Sequence, residues 1–405
     1  MHLVILTREI GHYHDARYRG AARVIDRVSV ISSMNEAGFA QFLAKDTGSY
    51  AIEKLFESRA AYHEAVGNGR LQRAMEAALA SLAPDVLAIS GWSNPESMIA
   101  MRWGRRNGVR LIMMSESQLD DAARNPLREA IKRRVVSQCD ASLVGGPPHA
   151  RYIATLGIPV DRIHMGYNAV DNGYFASAAA DARGNDAPLR AQLSLPARYM
   201  LASSRFIAKK NLPALVGAYA DCVAASDEAL PDLVILGDGE TRSEIVQAAR
   251  EGNVEARVHL PGFHGYGELP AFYALAELFI HVSTVEQWGL VINEAMASAT
   301  PVLVSDCCGA TRTLVQDGVS GLVTPPTRRA MAQNIQRFFA MDSAQRAQMA
   351  QAGAKAVADW GPDRFGAGMR AAIDSAQAAP QRGALLPWDA AILRLMERTV
   401  VERVA

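Results

Sequence analysis

Short apolar runs alternate with longer amphipathic stretches along most of the chain. In the amino-terminal half, runs of four or five mainly apolar residues are typical of buried strands, and helix-like stretches separate most of them. These strand candidates cover residues 3–6, 28–31, 86–89, 109–113 and 141–144. Such alternation predicts βαβ units around a parallel sheet, whose ligands bind beyond the carboxyl ends of the strands.

The carboxyl-terminal half repeats this pattern from residue 199 onward. Its strand candidates cover residues 199–202, 232–236, 258–263, 278–282 and 302–304. Beyond residue 328 the apolar spacing is helical, and residues 388–404 predict a final helix. Residues 176–188 lack large apolar side chains and are rich in Ala, Asp and Gly, which predicts a linker between the halves.

The length of the chain, 405 residues, favours two domains over a single core. We therefore expect an α/β protein with two Rossmann-like domains, residues 1–185 and 186–380, and a C-terminal helix within residues 381–405. Hydrophobic residues make up 49% and charged residues 21% of the sequence, as in globular proteins.

Charge and cysteine usage restrict the possible partners and location. The formal net charge is zero, so the field of the whole molecule does not attract nucleic acid, and we expect no nucleic-acid partner. No apolar run approaches the roughly 18 residues of a membrane helix, and the first residues lack a charged leader and a cleavage site. The four cysteines show no metal-ligand spacing, and the adjacent pair Cys307-Cys308 is a poor disulfide candidate, which favours a reducing cytoplasm.

The stretch Glu286-Gln-Trp-Gly-Leu-Val-Ile-Asn-Glu294 carries two carboxylates eight positions apart, with a glycine between them. An apolar run precedes it, and helix signals begin near Gly289. The free N–H groups and the positive dipole end of a helix that begins there suit an anion. Glu286 would stay on the loop, while Glu294 would lie just over one turn inside the helix. On spacing alone, an ordinary βα turn with two solvated glutamates is the simplest interpretation.

The surrounding residues change this interpretation. The phrase Ser-x-x-Glu-x-Trp-Gly-Leu-x-x-x-Glu-Ala-Met-Ala from Ser283, followed by Thr300-Pro-Val-Leu303, resembles the donor-binding signature of the family-4 retaining glycosyltransferases, within the glycosyl transferases group 1. The resemblance implies the GT-B fold, with two Rossmann-like βαβ domains facing each other across a cleft. It implies that the first domain binds the acceptor and the second the nucleotide sugar, and that the last helices return to the first domain.

A basic loop adds to the resemblance. Arg205 and Lys210 lie five positions apart ahead of a predicted helix, and a guanidinium with an ammonium suits diphosphate oxygens. The resemblance implies that this pair holds the nucleotide diphosphate and acts in catalysis. It implies that Glu286 acts with them and contacts the transferred sugar. Lys209 is the alternative to Lys210 if the register is off by one. For the nucleotide sugar it implies further contacts from Gly11, Gly237, Gly262, Phe263, Gly289, Leu290, Val291 and Glu294.

Two loops of the first half offer other chemistry. His12, His14 and Asp15 follow the first strand and allow a zinc hypothesis, but no fourth ligand is evident, so a polar binding loop around Gly11 is favoured. Many members of the resembled family place a histidine after the strand at residues 109–113, where this chain has Ser115 and Glu116. A catalytic role for Glu116 is therefore a hypothesis. No metal is expected, because the resembled enzymes need none for chemistry.

A basic cluster surrounds Trp103. Its members are Arg102, Arg105, Arg106 and Arg110. A solvated helix face is the default interpretation. The alternative is a patch that touches anionic lipid, since each basic residue contributes on the order of 1 kcal/mol near a charged surface. A peripheral position on the inner membrane face is therefore kept as an alternative.

The function implied is a retaining glycosyltransferase that moves a sugar from a nucleotide diphosphate sugar, a UDP- or GDP-sugar above all, to an acceptor hydroxyl. A glycan, a lipid-linked or a small-molecule acceptor is expected, as in polysaccharide, glycolipid or natural-product assembly, with no separate cofactor. Two alternatives stay open: a sugar-nucleotide epimerase of the same architecture, and a non-catalytic GT-B subunit that binds a partner. The Arg-x4-Lys and Glu-x7-Glu pairs argue against both.

Overall fold

The structure is a computed structural model that describes residues 1–34, 48–226, 229–383 and 385–404, with side chains up to Glu397. Its internal contacts divide the chain into two compact units. The first contains Met1–Ala169 together with Pro362–Ala405, and the second contains Val170–Gly361. No helix in the described part of the chain has the length and apolar character needed to cross a membrane.

The described elements alternate between strand and helix. The strands are β1 His2–Thr7, β2 Arg27–Ser32, β3 Ala51–Lys54, β4 Val86–Ser90, β5 Arg110–Ser115, β6 Ala141–Val144, β7 Ile163–Met165, β8 Tyr199–Ser203, β9 Asp232–Leu236, β10 Val258–Gly262, β11 Leu278–His281, β12 Val302–Ser305 and β13 Leu322–Thr324. The helices are α1 His12–Ala22, α2 Arg59–Gly67, α3 Arg70–Leu82, α4 Pro95–Asn107, α5 Pro126–Val136, α6 Pro147–Thr155, α7 Asn172–Gly184, α8 Asp186–Gln192, α9 Leu212–Ala225, α10 Arg242–Glu251, α11 Leu269–Ala274, α12 Leu290–Ala297, α13 Thr311–Leu314, α14 Arg328–Phe339, α15 Ser343–Val357, α16 Pro362–Ala378 and α17 Pro387–Val404.

The first unit is built on a seven-stranded parallel sheet with the order β3-β2-β1-β4-β5-β6-β7. Strand β1 pairs in parallel with β2 on one side and with β4 on the other, so the direction of winding reverses there. Residues of β1 such as Val4 and Ile5 are fully buried on both faces, which is why the strand has a continuous apolar run. Loops after β1 and β4 therefore flank a switch point, where ligands of such sheets bind.

Helix α16 covers part of this sheet although it comes late in the chain. It packs against α1 and against β5, β6 and β7, and it buries Phe365, Met369 and Ile373. The crossing with α1 depends on glycine. A Cβ at Gly366 would lie 2.3 Å from the carbonyl oxygen of Gly20, so the two backbones touch directly.

The basic cluster on α4 binds the C-terminal segment. Arg102 is buried and forms an ion pair with Glu397 of α17, while Arg105 donates to the carbonyl of Gly383 at 2.7 Å. Arg110 donates to the carbonyl of Ala379 at 3.0 Å. Three of the four arginines weighed as a solvated face or a lipid-binding patch thus hold α16, α17 and their connection. These contacts were not predictable from local pattern, because their partners lie 269 to 295 residues further along the chain.

The second unit contains a six-stranded parallel sheet with the order β10-β9-β8-β11-β12-β13. Strand β11 lies between β8 and β12, so its carboxyl end emerges at the middle of the sheet. The predicted fold class, α/β with two Rossmann-like parallel sheets, is confirmed.

The predicted linker is wrong as a description of residues 176–188. Helices α7 and α8 cover most of this stretch, because alanine has the highest intrinsic helix propensity and the run is rich in it. Helix α7 also packs against α11 and α12, burying Phe175 and Ala179 completely. Small apolar side chains, which the linker prediction disregarded, are sufficient for this close packing.

Candidate functional site

Loops after β8 and β9 pack directly against each other in the second unit. The backbone N–H of Phe206 donates to the carbonyl of Asp238 at 2.8 Å, and that of Thr241 donates to the carbonyl of Phe206 at 3.0 Å. Gly237 makes the approach possible, since a Cβ there would lie 1.9 Å from the carbonyl oxygen of Ser204. Gly237 was predicted to contact the nucleotide sugar, whereas the group that lies against it in the structure is the neighbouring backbone.

The loop after β8 is fixed beside β11 by its last residues. Residues Ala208–Lys210 form a short 3-10 turn, and Asn211 then has a φ of +61° before α9 begins. The Asn211 amide donates to the carbonyls of Val282 at 3.3 Å and Pro326 at 2.8 Å. These bonds connect the loop that carries Lys210 to the loop that carries Glu286.

Lys210 and Glu286 meet in a small polar cluster. The Lys210 Nζ forms an ion pair with Glu286 Oε2, and each of the two side chains is only 12% exposed. His281 Nε2 lies 3.3 Å from the same oxygen, and the Ser283 hydroxyl donates to it at 3.3 Å. Ser283 Oγ and His281 Nε2 are themselves 3.1 Å apart. Three donors therefore converge on one carboxylate oxygen.

Burial and charge give the cluster a defined protonation state. Burial opposes ionisation of Glu286, but the hydrogen bond from His281 and the charge of Lys210 outweigh it and hold the pKa of Glu286 well below its ordinary value. Burial lowers the pKa of His281, even though the neighbouring carboxylate acts in the opposite direction. The cluster therefore contains a carboxylate, an ammonium and a neutral imidazole.

Helix α12 begins directly beside this cluster. Gly289 precedes it with a φ of +95°, and a Cβ there would lie 3.5 Å from Glu286 Cγ. Gly289, Leu290 and Val291 are partly exposed. Because the first N–H groups of a helix have no partner within it, this turn offers donors and a positive dipole end to an anion. The structure thus brings Lys210, Glu286 and the predicted backbone donors together.

Glu294 is fully buried, in contrast to Glu286. Its Oε2 accepts a hydrogen bond from the Tyr273 hydroxyl at 2.6 Å. A contact between Glu294 and ribose hydroxyls, which the resemblance implies, therefore requires a local rearrangement that exposes this carboxylate.

The other residues implied for the donor lie at the surface of the second unit. Arg205 is exposed, and no hydrogen bond or ion pair joins its guanidinium to another described residue. Phe263 is 51% exposed. Gly262 has a φ of +94° with open space where a side chain would begin. These positions are accessible to a ligand but are not linked to the cluster by any described hydrogen bond.

Gly11 and Glu116 lie in the first unit. Gly11 precedes α1, and its N–H donates to His14 Nδ1 at 3.3 Å; Glu116 follows β5 and is partly buried. Burial, with Arg17 nearby, lowers the pKa of His14 to about 3. Among the described residues no group of three His, Cys, Asp or Glu side chains could hold a metal ion.

A groove between α9 and α10 lies elsewhere on the second unit. Arg242, Arg250 and Arg328 line it together with Glu240 and other acidic side chains, and none of the predicted site residues lines it. Its mixed charge does not select an anionic ligand, so the cluster at Glu286 is the better candidate site.

Sequence reasoning missed His281, and it quoted Ser283 without assigning it a role. His281 was taken as part of the apolar run of β11, although a buried histidine needs a hydrogen-bond partner. The available signal was its place at the end of a buried strand, five residues before Glu286. Asn211 and Tyr273 gave no comparable signal, because their partners lie distant in sequence.

Comparison with known proteins finds similarity to glycosyltransferases within the second unit. Residues 189–356 match a family model described as Glycosyl transferases group 1. The chain is 30% identical to alpha-D-kanosaminyltransferase of Streptomyces kanamyceticus over 185 residues, which are 45% of this chain and 46% of the relative. It is 30% identical to D-inositol 3-phosphate glycosyltransferase of Salinispora arenicola over 229 residues, 54% of this chain and 50% of the relative. The chain thus spans about half the length of these curated relatives.

Solved structures resemble the chain over a longer range. Anabaena Alr3699/HepE in complex with UDP and glucose has a TM-score of 0.73 at 18% identity, covering 93% of this chain and 100% of that one. Trehalose-6-phosphate synthase OtsA has a TM-score of 0.72 at 11% identity, covering 94% and 100%. These likenesses show the GT-B fold. The predicted resemblance to group 1 is confirmed. The relatives carry the names of glycosyltransferases, which agrees with the predicted enzyme class. Membership of family 4 stays a prediction.

Proposed function

We propose, from the match of residues 189–356 to the family model of the glycosyl transferases group 1, that this chain transfers a sugar from a nucleotide diphosphate sugar to an acceptor hydroxyl. The observation that carries the proposal is the pairing of Lys210 with Glu286 beside the exposed first turn of α12. We assign the nucleotide sugar to the second unit and the acceptor to the first. A UDP- or GDP-sugar is favoured, and the complex of Anabaena Alr3699/HepE with UDP and glucose supports a uridine donor.

Binding of the diphosphate exchanges the partner of Lys210. In the ligand-free protein the ammonium is neutralised by Glu286; a diphosphate carries more negative charge and takes this place beside the α12 dipole. Arg205 has an exposed guanidinium that can grip the outer oxygens in a bidentate way. Glu286, released from Lys210, then accepts a hydrogen bond from a hydroxyl of the sugar.

The transfer proceeds with retention of configuration. The bond between the sugar C1 and the diphosphate oxygen breaks while the acceptor oxygen bonds to C1 on the same face. The acceptor proton passes to the departing diphosphate, so no glycosidase-type pair of acid and nucleophile is needed. Lys210, Arg205 and the α12 N–H groups stabilise the charge that grows on the leaving group, which lowers the barrier more than it strengthens ground-state binding.

The acceptor is a glycan, a lipid-linked molecule or a small molecule with a free hydroxyl. Gly11 and Glu116 are the proposed contributors from the first unit, Glu116 as a group that orients the hydroxyl. We propose a cytoplasmic location, with peripheral contact to the inner membrane face as the alternative. The four free cysteines in the structure support a reducing compartment.

The first test is nucleotide binding. UDP, GDP, ADP and dTDP are added separately to the wild-type protein, and the melting temperature is measured. One nucleotide is expected to stabilise the fold by about 2.7 kcal/mol when present at 100 times its dissociation constant. If none of the four raises the melting temperature, the nucleotide-sugar premise fails and the partner-binding alternative takes first place.

The second test compares two neighbouring lysines. Lys210→Met is expected to reduce turnover of the matching nucleotide sugar by about 100-fold or more, because a donor aimed at developing charge is lost. Lys209→Met, in the same 3-10 turn, is the matched control and should stay within a few-fold of the wild type. Near-normal turnover of Lys210→Met contradicts the assignment, and the reverse ranking of the two variants would transfer the role to Lys209.

A further inference from the structure

We propose that His281 is a positioning residue that holds the Glu286 carboxylate where it meets the sugar of the donor. The inference rests on the proposed function, since it gives Glu286 a sugar to contact. It adds a residue that neither the sequence motif nor the comparisons identify. Its basis is the arrangement of hydrogen bonds around Glu286 Oε2.

The three donors to Glu286 differ in how firmly they are held. Lys210 has a long side chain on a short turn, and a diphosphate would draw it away. His281 is the last residue of β11, and its backbone pairs with Val304 of β12 in the sheet. The imidazole is 4% exposed and stacks parallel to the ring of Phe279. His281 is therefore held in place by the sheet when Lys210 leaves.

The charge of the imidazole matters as much as its position. Because His281 is buried and neutral, it offers an N–H to the carboxylate without cancelling the negative charge. An ionised carboxylate can only accept hydrogen bonds, which assigns the proton to Nε2. Ser283 contacts both groups and donates to Glu286. After Lys210 has moved to the diphosphate, these two neutral donors keep Glu286 ionised and oriented.

Gly289 closes the space around the pair. A Cβ at this position would lie 3.6 Å from His281 Nε2 and 3.5 Å from Glu286 Cγ. The imidazole and the carboxylate therefore lie directly against the residue that precedes α12, where an anionic ligand would bind. A carboxylate held in this confined space cannot swing away while the sugar is bound.

The test uses three variants of strand histidines. His281→Phe keeps the ring but removes the donor, and His281→Gln restores an N–H near the position of Nε2. His259→Phe is the matched control, because His259 on β10 also contacts a carboxylate, Asp232, at 2.8 Å. Each protein is assayed for the Kd of the stabilising nucleoside diphosphate, for kcat and KM with its sugar donor, and for Tm.

His281→Phe is expected to lower kcat by about 10- to 100-fold through misplacement of Glu286, with the Kd for the nucleoside diphosphate changed by less than about threefold. His281→Gln should recover most of kcat, and His259→Phe should keep it. Unchanged kcat in His281→Phe overturns the inference. Equal losses in the Phe and Gln variants, in step with a lower Tm, overturn it as well, because they indicate a structural role.

An imidazole ¹⁵N NMR measurement separates the inference from the proposed function. The wild-type His281 signal is expected to show a neutral ring protonated at Nε2, and Glu286→Gln should shift that signal. A ring protonated at Nδ1, or a signal indifferent to Glu286→Gln, overturns the positioning role even in an active enzyme. Failure to bind any nucleoside diphosphate, with the NMR result as expected, overturns the proposed function. The positioning role of His281 toward a donor sugar then falls as well, because the protein would bind no sugar donor.

Discussion

At the scale of residues, two glycines of the second unit are required for different structural reasons. Gly237 and Gly262 both adopt positive φ, +122° and +94°. At Gly237 the space for a side chain is occupied by the Ser204 backbone, whereas at Gly262 it is open. The first glycine therefore serves packing between loops as well as backbone conformation, whereas no neighbouring group would clash with a side chain at the second.

Gly237→Ala is expected to destabilise the protein far more than Gly262→Ala. The positive φ alone costs an alanine about 1–2 kcal/mol. At Gly237 overpacking adds about 1–3 kcal/mol, since a Cβ would lie 1.9 Å from a carbonyl oxygen. Urea denaturation of both variants and the wild type measures the difference. Equal losses of unfolding free energy in the two variants would show that the loops after β8 and β9 can move apart to accommodate the Cβ at no energetic cost.

The candidate site was only partly predictable at this scale. The motif spacing identified Glu286 and Lys210, and the structure places them in one ion pair. The motif spacing did not indicate that Glu294 is buried, because its burial depends on the packing of Tyr273 from another helix. His281 was missed because an apolar strand pattern hides a polar residue whose partners lie on the following loop.

At the scale of elements, the contact of α1 with α16 is made by backbone. Gly20 and Gly366 face each other so closely that a Cβ on either would lie 2.0–2.3 Å from a carbonyl oxygen. Helices that cross at glycines can bring their axes closer together than ordinary helix pairs, whose axes lie about 8–10 Å apart. This fixes α16 over β5, β6 and β7.

Gly366→Ala is expected to destabilise the first unit although alanine is the better helix former. Overpacking of about 1–3 kcal/mol outweighs the gain of about 0.5–1 kcal/mol from helix propensity. Gly67→Ala is the matched control, because Gly67 ends α2 with nothing within 4 Å of the added Cβ. Thermal denaturation should show a lower Tm for the first variant and an unchanged or higher Tm for the second. A higher Tm in both variants would show that α1 and α16 can move apart without a loss of stability.

Elements with strong apolar runs were predictable, and those without them were not. Strands β1, β4 and β9 appear where the pattern predicts them. Strand β3, with the sequence AIEK, is a largely exposed edge strand and has no apolar run to recognise. Helix α7 was taken for linker because alanine buries little surface per residue, so the hydrophobic pattern was weak although its helix propensity is high.

At the scale of the whole molecule, burial keeps several histidines neutral. It lowers the pKa of His2, His14, His164 and His281 below the ordinary 6.5. The unfolded chain takes up these protons as the pH falls below 6.5, and the folded protein does not. Stability is therefore fully present above this pH and declines below it, until the folded pKa of each group is reached.

The unfolding free energy is expected to fall between pH 7.5 and pH 5, with a slope of up to about 1.4 kcal/mol per pH unit from each such histidine. His14 contributes down to about pH 3, where its folded pKa lies. His14→Asn keeps an acceptor for the Gly11 N–H and should flatten the profile. Urea denaturation at several pH values measures both slopes. Identical slopes for the wild type and the variant would mean that His14 takes up its proton at the same pH in the folded and the unfolded protein.

The chain length predicted two domains, but local patterns did not assign the last residues to the first of them. Only the resemblance implied that the final helices return there. The contacts of α16 and α17 with α1 and α4 depend on glycine spacing and on single arginines. Such features carry no periodic signal, so an assignment of this kind needs coordinates.

The discontinuous first unit sets an order of events during protein synthesis. Its first 169 residues leave the ribosome before the second unit, but α16 and α17 come after residue 361. At roughly 5–20 residues per second, residues 170–361 take on the order of 10–40 s to make. Throughout that interval the nascent first sheet lacks the helix that covers β5 to β7, and its apolar face is available to chaperones. The second unit, continuous in sequence, is thus the part able to complete its fold first.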